Sequence, residues 1–62
     1  MLTDYIVTLT YNFGSGRDFT AVQIVKYCKD EIEAGIRASG RLKDKIGSGA
    51  HINYQIIFPI EK

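Results

Sequence analysis

The residues best suited to chemistry lie early in the chain, where glycines alternate with hydroxyl and basic side chains. The stretch runs Gly14, Ser15, Gly16, Arg17, Asp18, Phe19, Thr20. A glycine-rich turn that leads into a helix presents unpaired backbone N–H groups and the positive end of the helix dipole to an anion. An arginine adds a bidentate grip on a phosphate. A site for a small anionic ligand of nucleotide type is therefore one hypothesis, built from Gly14, Ser15, Gly16, Arg17 and Thr20 with Arg37 and Arg41.

The same stretch departs from the established phosphate-binding motifs. No third glycine follows at the spacing of the dinucleotide fingerprint, and no Gly-Lys-Ser/Thr sequence marks a P-loop. Asp18 would also repel an anion at the helix start. A flexible connection that uses its glycines for positive φ is the plainer interpretation, and we favour it.

Groups suited to catalysis or metal binding are few. The chain has one histidine, His51, and one cysteine, Cys28. A histidine base needs a nearby nucleophile or substrate, and zinc needs a cluster of Cys and His ligands. Cys28 falls on an apolar stripe, where a buried structural thiol is expected, and a single cysteine forms no disulfide within the chain. We therefore expect no catalytic residue, no metal, no cofactor and no enzymatic activity.

The charge balance argues against nucleic acid as a partner. The net charge of the 62 residues is +1. Four cations cluster late in the chain, but Asp44 lies among them and the C-terminal end of a helix accounts for cations there. These cations are Arg37, Arg41, Lys43 and Lys45. No apolar run is long enough to cross a membrane, and a free cysteine favours the cytoplasm.

Three elements would position these residues. Residues 4–13 and 51–60 alternate in polarity with β-branched and aromatic types, which is typical of strands. Between them, residues 20–46 carry apolar and small side chains at alternating steps of four and three, which predicts one long amphipathic helix. That stripe consists of Ala21, Val25, Cys28, Ile32, Gly35, Ser39, Leu42 and Ile46.

The start of the predicted helix rests on local patterns. Thr20 and Gln23 fit a capping box, and Phe19 and Ile24 fit a hydrophobic staple. The helix is expected to bend or break near Gly40. The competing interpretation makes residues 19–27 a second strand, which would pair with the first as a hairpin.

The fold class expected from this order is α+β. One helix would cover two strands in a two-layer β-α-β unit that forms a single domain over residues 1–62. Two strands make a poor sheet, and a chain this short has a small core. We therefore expect a homodimer or higher oligomer in which the sheet is completed by strands from several copies.

The function expected from these features is that of a small non-enzymatic, oligomeric binding or inhibitor protein acting on a protein partner. Such proteins are of the kind that phage or accessory genes encode. Tyr27, Ile6 and Ile57 are the candidate interface residues, because each lies off the expected apolar surface of its element. The alternative is a protein that sequesters a small anionic nucleotide at a site between subunits.

Overall fold

The structure is a computed structural model that describes residues 2–14, 16–47 and 49–60. Four elements follow one another: β1 (Thr3–Asn12), β2 (Phe19–Cys28), α1 (Glu31–Ile46) and β3 (His51–Pro59). The strands form one antiparallel sheet in the order β2-β1-β3, so β1 is central and β2 and β3 are edges. The chain is a small α+β fold of three strands and one helix.

The prediction of a single helix over residues 20–46 is wrong in its first part. Residues Phe19–Cys28 form β2 and pair with β1, as the competing hairpin interpretation had it. Thr20 is paired with Thr10 and Ile24 with Ile6 in the sheet. No helix therefore begins at the expected capping box and hydrophobic staple. The ladder to β1 outweighs the local helix pattern, because β-branched side chains suit a strand and are stiff in a helix.

The helix starts eleven residues later, at Glu31. Its N-cap is Asp30, whose Oδ1 accepts a hydrogen bond from the backbone N–H of Glu33 at 2.9 Å. At the other end the N–H of Gly47 donates to the carbonyl oxygen of Lys43 at 2.8 Å. The helix runs through Gly40 without interruption, so the expected break there is absent.

The core lies between α1 and one face of the sheet. The helix contributes small side chains, which let it lie close to the strands. The buried residues of this core are Tyr5, Val7, Leu9, Val25, Cys28, Ala34, Ala38 and Leu42. The predicted stripe is therefore only partly correct, since Ile32 belonged to it and is 72% exposed.

The strand predictions hold for β1 and need correction for β3. On β1 the apolar residues Tyr5, Val7 and Leu9 face the core as the alternation predicted. On β3 the expected single apolar face is split, because Ile57 packs against the core while Ile56 is exposed. A register shift opposite Thr10 and Tyr11 lets Ile52 join the core side.

Within the described residues no helix is both long enough and apolar enough to cross a lipid bilayer.

Candidate functional site

The predicted anion loop joins β1 to β2 and does not precede a helix. Gly14 and Gly16 have φ values of +87° and +84°, which glycine adopts without strain. Ser15 lies outside the described residues. Arg17 and Thr20 are exposed beside this connection. Since the predicted anion site depended on a helix N-terminus, that part of its rationale is wrong.

The carboxylate of Asp18 organises the connection instead. Its Oδ1 accepts hydrogen bonds from the side-chain amides of Asn12 at 3.1 Å and Asn53 at 3.2 Å. The oxygen of the Asn12 amide in turn accepts from the N–H of Gly14 at 3.0 Å. Asp18 therefore ties the end of β1 and the start of β2 to β3, and its charge lies where an anion would have to bind.

Arg37 and Arg41, the other residues of the predicted anion site, bind the backbone of β2. Arg41 Nη1 donates to the carbonyl oxygen of Ile24 at 3.2 Å. Arg37 Nη1 donates to the carbonyl oxygen of Lys26 at 2.9 Å. Ile24 is four residues from Thr20, or about 13 Å along an extended strand. The structure thus does not bring these arginines together with the glycine loop.

Tyr27, a predicted interface residue, lies in an irregularity at the end of β2. It has a φ of 59°, and its side chain is 66% exposed. Asp4 Oδ1 accepts a hydrogen bond from the Tyr27 N–H at 3.0 Å, and Arg37 Nη1 donates to the Tyr27 carbonyl at 3.3 Å. A non-glycine residue in this region costs on the order of 1–3 kcal/mol, so contacts on both sides are needed to hold it.

The two predicted interface isoleucines lie on different sides of the sheet. Ile57 is partly buried against the core beneath α1. Ile6 points to the opposite side and is 38% exposed. Together with Tyr27 at the strand end, the three residues do not form one continuous surface.

A groove runs between α1 and β3 with a volume of about 590 Å³. Its helix wall carries Ile32 and Ile36, one turn apart and both exposed. Gly35 lies between them, where a Cβ would be 3.0 Å from Gln55 Nε2 and 3.1 Å from Ile57 Cδ1. The absence of a side chain at Gly35 therefore allows the helix to lie against β3.

The two edges of the sheet differ in how they are covered. On β2, the carbonyls of Ile24 and Lys26 accept hydrogen bonds from Arg41 and Arg37. These arginines block part of that edge from pairing with a further strand. In the described part of the chain no such side chain covers the outer edge of β3, and the groove opens beside it.

The side of the sheet away from α1 is apolar and exposed. We call it the open face. Its large side chains come from all three strands, and each is at least 38% exposed. They are Ile6, Val22, Ile24, Tyr54, Ile56 and Phe58. Single exposed apolar residues are ordinary on a monomer, whereas a contiguous patch of six large ones marks a binding surface.

Residues for catalysis or metal binding are not gathered in any of these places. Within the residues that the structure describes, no group of three or more His, Cys, Asp or Glu could hold a metal. His51 is exposed at the start of β3, and Cys28 is buried with Arg37 Nη1 3.5 Å from its Sγ.

The groove was not predicted, because Ile32 falls on the apolar stripe of the helix that was expected to begin at residue 20. The open face was not predicted either, because an apolar side chain on either face of a strand is interpreted as core. No protein-family model, no curated protein and no solved structure matches the chain.

Proposed function

We propose that this chain is a small non-enzymatic binding protein that acts in the cytoplasm on a protein partner. An extended segment of the partner pairs with the outer edge of β3, and its side chains enter the groove beside α1. The observation that carries this proposal is the contrast between the edges. Arginines cover part of β2, while no side chain among the described residues covers the outer edge of β3, which lies beside an apolar groove.

Backbone pairing would supply most of the affinity. An edge strand presents unpaired N–H and C=O groups, and strand addition is a recurrent way to bind an extended peptide. Pro59 has no N–H to donate, so the usable edge of β3 is residues 51–58.

The groove would supply specificity. Ile32, Ile36 and Ile57 form its apolar part. Glu31 and Lys43 line it twelve residues apart on the helix, or about 18 Å. A matching segment would carry apolar side chains at alternate positions, with a cation near Glu31 and an anion near Lys43.

Self-association remains part of this proposal, but in a different form from a shared sheet. One chain already contains three strands, so a second copy is not needed to make a sheet. The β2 edge is partly covered, and the β3 edge is assigned here to the partner.

As for the nucleotide alternative, the loop at Gly14 and the two helix arginines lie apart, and nothing in their geometry favours it.

Capture of proteins by the tagged chain tests the proposal. We expect Ile36→Lys to reduce capture of the partner at least tenfold, because a charge then lies in the apolar groove. Leu2→Lys is the matched control, since Leu2 is also an exposed apolar residue but lies outside the groove. Equal capture by wild type, Ile36→Lys and a second groove variant, Ile32→Lys, would overturn the assignment of this site.

A further inference from the structure

We infer that the open face binds a second copy of this chain, as a two-fold dimer of sheets packed face to face. The axis runs along the central cross-strand row, which consists of Val22, Thr8 and Ile56. This inference gives the self-association in the proposed function a defined surface and geometry.

The area of the open face matches what a stable dimer needs. At their exposed fractions, its six large apolar side chains present on the order of 600 Å². A standard interface buries about 800 Å² per partner, and Thr8, Thr20 and Lys26 on the same face supply further area. An open sheet face of this composition is what pairs of sheets bury in sandwiches, about 10 Å apart.

The face is self-complementary about its central row. On one side of that row lie the bulky residues Ile24, Ile6 and Phe58, paired across the strands. On the other side lie Thr20, Thr10 and Tyr54, also paired. Rotation about the central row places Ile24 over Thr20 and Ile6 over Thr10 of the second copy. On β3 it places Phe58 over Tyr54, where two aromatic rings pack against each other.

The charges at the rim fit the same rotation. Lys26 lies four residues beyond Val22 on β2, and Asp18 lies four residues before it. The rotation places each Lys26 over the partner's Asp18, giving two ion pairs by symmetry. A two-fold axis parallel to the strands would instead place β2 over β3, with Lys26 over Ile60 and far from Asp18.

Sedimentation equilibrium tests whether the dimer forms. We expect a mass of twice 7.0 kDa for the wild type. Val22→Lys should give a monomer, because two like charges would meet at the axis, while its 64% exposure lets the single chain fold. Ile32→Lys, on the helix, should remain a dimer. A monomeric wild type, or a dimeric Val22→Lys with unchanged affinity, would overturn the inference.

Charge reversal and cross-linking test the geometry. Lys26→Glu should weaken the dimer roughly three- to tenfold at low salt, with a smaller effect at high salt. With a short bismaleimide, Val22→Cys alone should cross-link to itself. The wild type is the control, because Cys28 is buried. Cross-linking only in a mixture of Val22→Cys and Ile56→Cys would show the other axis and overturn this one.

The dimer of sheets and the binding of a partner in the groove are tested by different variants. Ile32→Lys should lose partner capture and keep the dimer, whereas Val22→Lys should lose the dimer and keep the groove. A monomeric wild type that still captures its partner through Ile36 would overturn the dimer alone.

Discussion

Arg37 reaches from the helix to the carbonyl oxygen of Tyr27, which its Nη1 approaches at 3.3 Å. The same nitrogen lies 2.9 Å from the carbonyl oxygen of Lys26 and 3.6 Å from a carboxylate oxygen of Glu33. One helical side chain therefore fixes the irregular end of β2, where Tyr27 has a positive φ. The ion pair with Glu33 has the i, i+4 spacing that brings side chains together on a helix, whereas the contacts with β2 depend on how α1 lies across the sheet.

Loss of the Arg37 side chain should loosen this end of the sheet. We expect Arg37→Ala to lower the free energy of unfolding by about 1–2 kcal/mol, because two charge-assisted hydrogen bonds to backbone carbonyls are lost at a partly exposed site. Urea unfolding at one fixed protein concentration measures this. The control Arg17→Ala, in the exposed connection, should change it by less than about 0.5 kcal/mol. Equal effects of the two substitutions would contradict the assigned role of Arg37.

The backbone at Tyr27 offers a rare case in which glycine should stabilise a strand end. Tyr27→Gly removes the steric cost of a positive φ, and we expect a gain of up to about 1 kcal/mol. Tyr54→Gly is the matched control, since Tyr54 is also an exposed strand tyrosine but does not have a positive φ. There glycine should cost about 0.5–1 kcal/mol. Opposite signs in thermal unfolding support the conformation at Tyr27, and a loss at both positions argues against it.

The corrected start of the helix can be tested by comparing two candidate caps. Asp30→Ala should cost about 1 kcal/mol, because the N–H of Glu33 loses its acceptor. Thr20→Ala should cost less than about 0.5 kcal/mol, since Thr20 is an exposed residue of β2. If Thr20→Ala proved the more destabilising, the helix would start where the sequence pattern first placed it.

The stretch 20–28 shows why the sequence analysis erred over the second element. Ala21, Val25 and Cys28 fit a helical stripe, yet they also lie on the core side of β2. An ordinary surface strand would show polar residues between them, but Val22 and Ile24 belong to the apolar open face. The alternation of apolar and polar residues that identifies a strand is therefore absent from β2, because both of its faces carry apolar side chains.

Other parts of the fold were accessible from the sequence. The alternation in β1 predicted its core side correctly, from Tyr5 to Leu9. The true helix start was also visible, because Asp30 followed by Glu33 is an N-cap pattern. The groove and the arginine contacts with β2 could not be predicted from the sequence, because they depend on how α1 lies across strands that are distant in the chain.

The two glycines within α1 should respond differently to alanine. A Cβ at Gly40 would meet nothing within 4 Å, so Gly40→Ala should raise stability by about 0.5–1 kcal/mol through helix propensity. At Gly35 the Cβ would crowd Gln55 and Ile57 at 3.0–3.2 Å, which should cancel that gain. In a domain of this size the difference corresponds to several degrees in Tm. A larger gain at Gly35 than at Gly40 would contradict the close packing of α1 on β3.

Hydrogen–deuterium exchange on the chain with and without its captured partner tests the central claim most directly. Half of the β3 amides already pair with β1, and the alternate ones face the open edge. We predict that partner binding slows exchange of these outward amides within residues 51–58, while the amides of residues 20–24 on β2 are unchanged. Protection confined to β2 or to the connection at residues 14–18, with β3 unaffected, would contradict strand addition at β3.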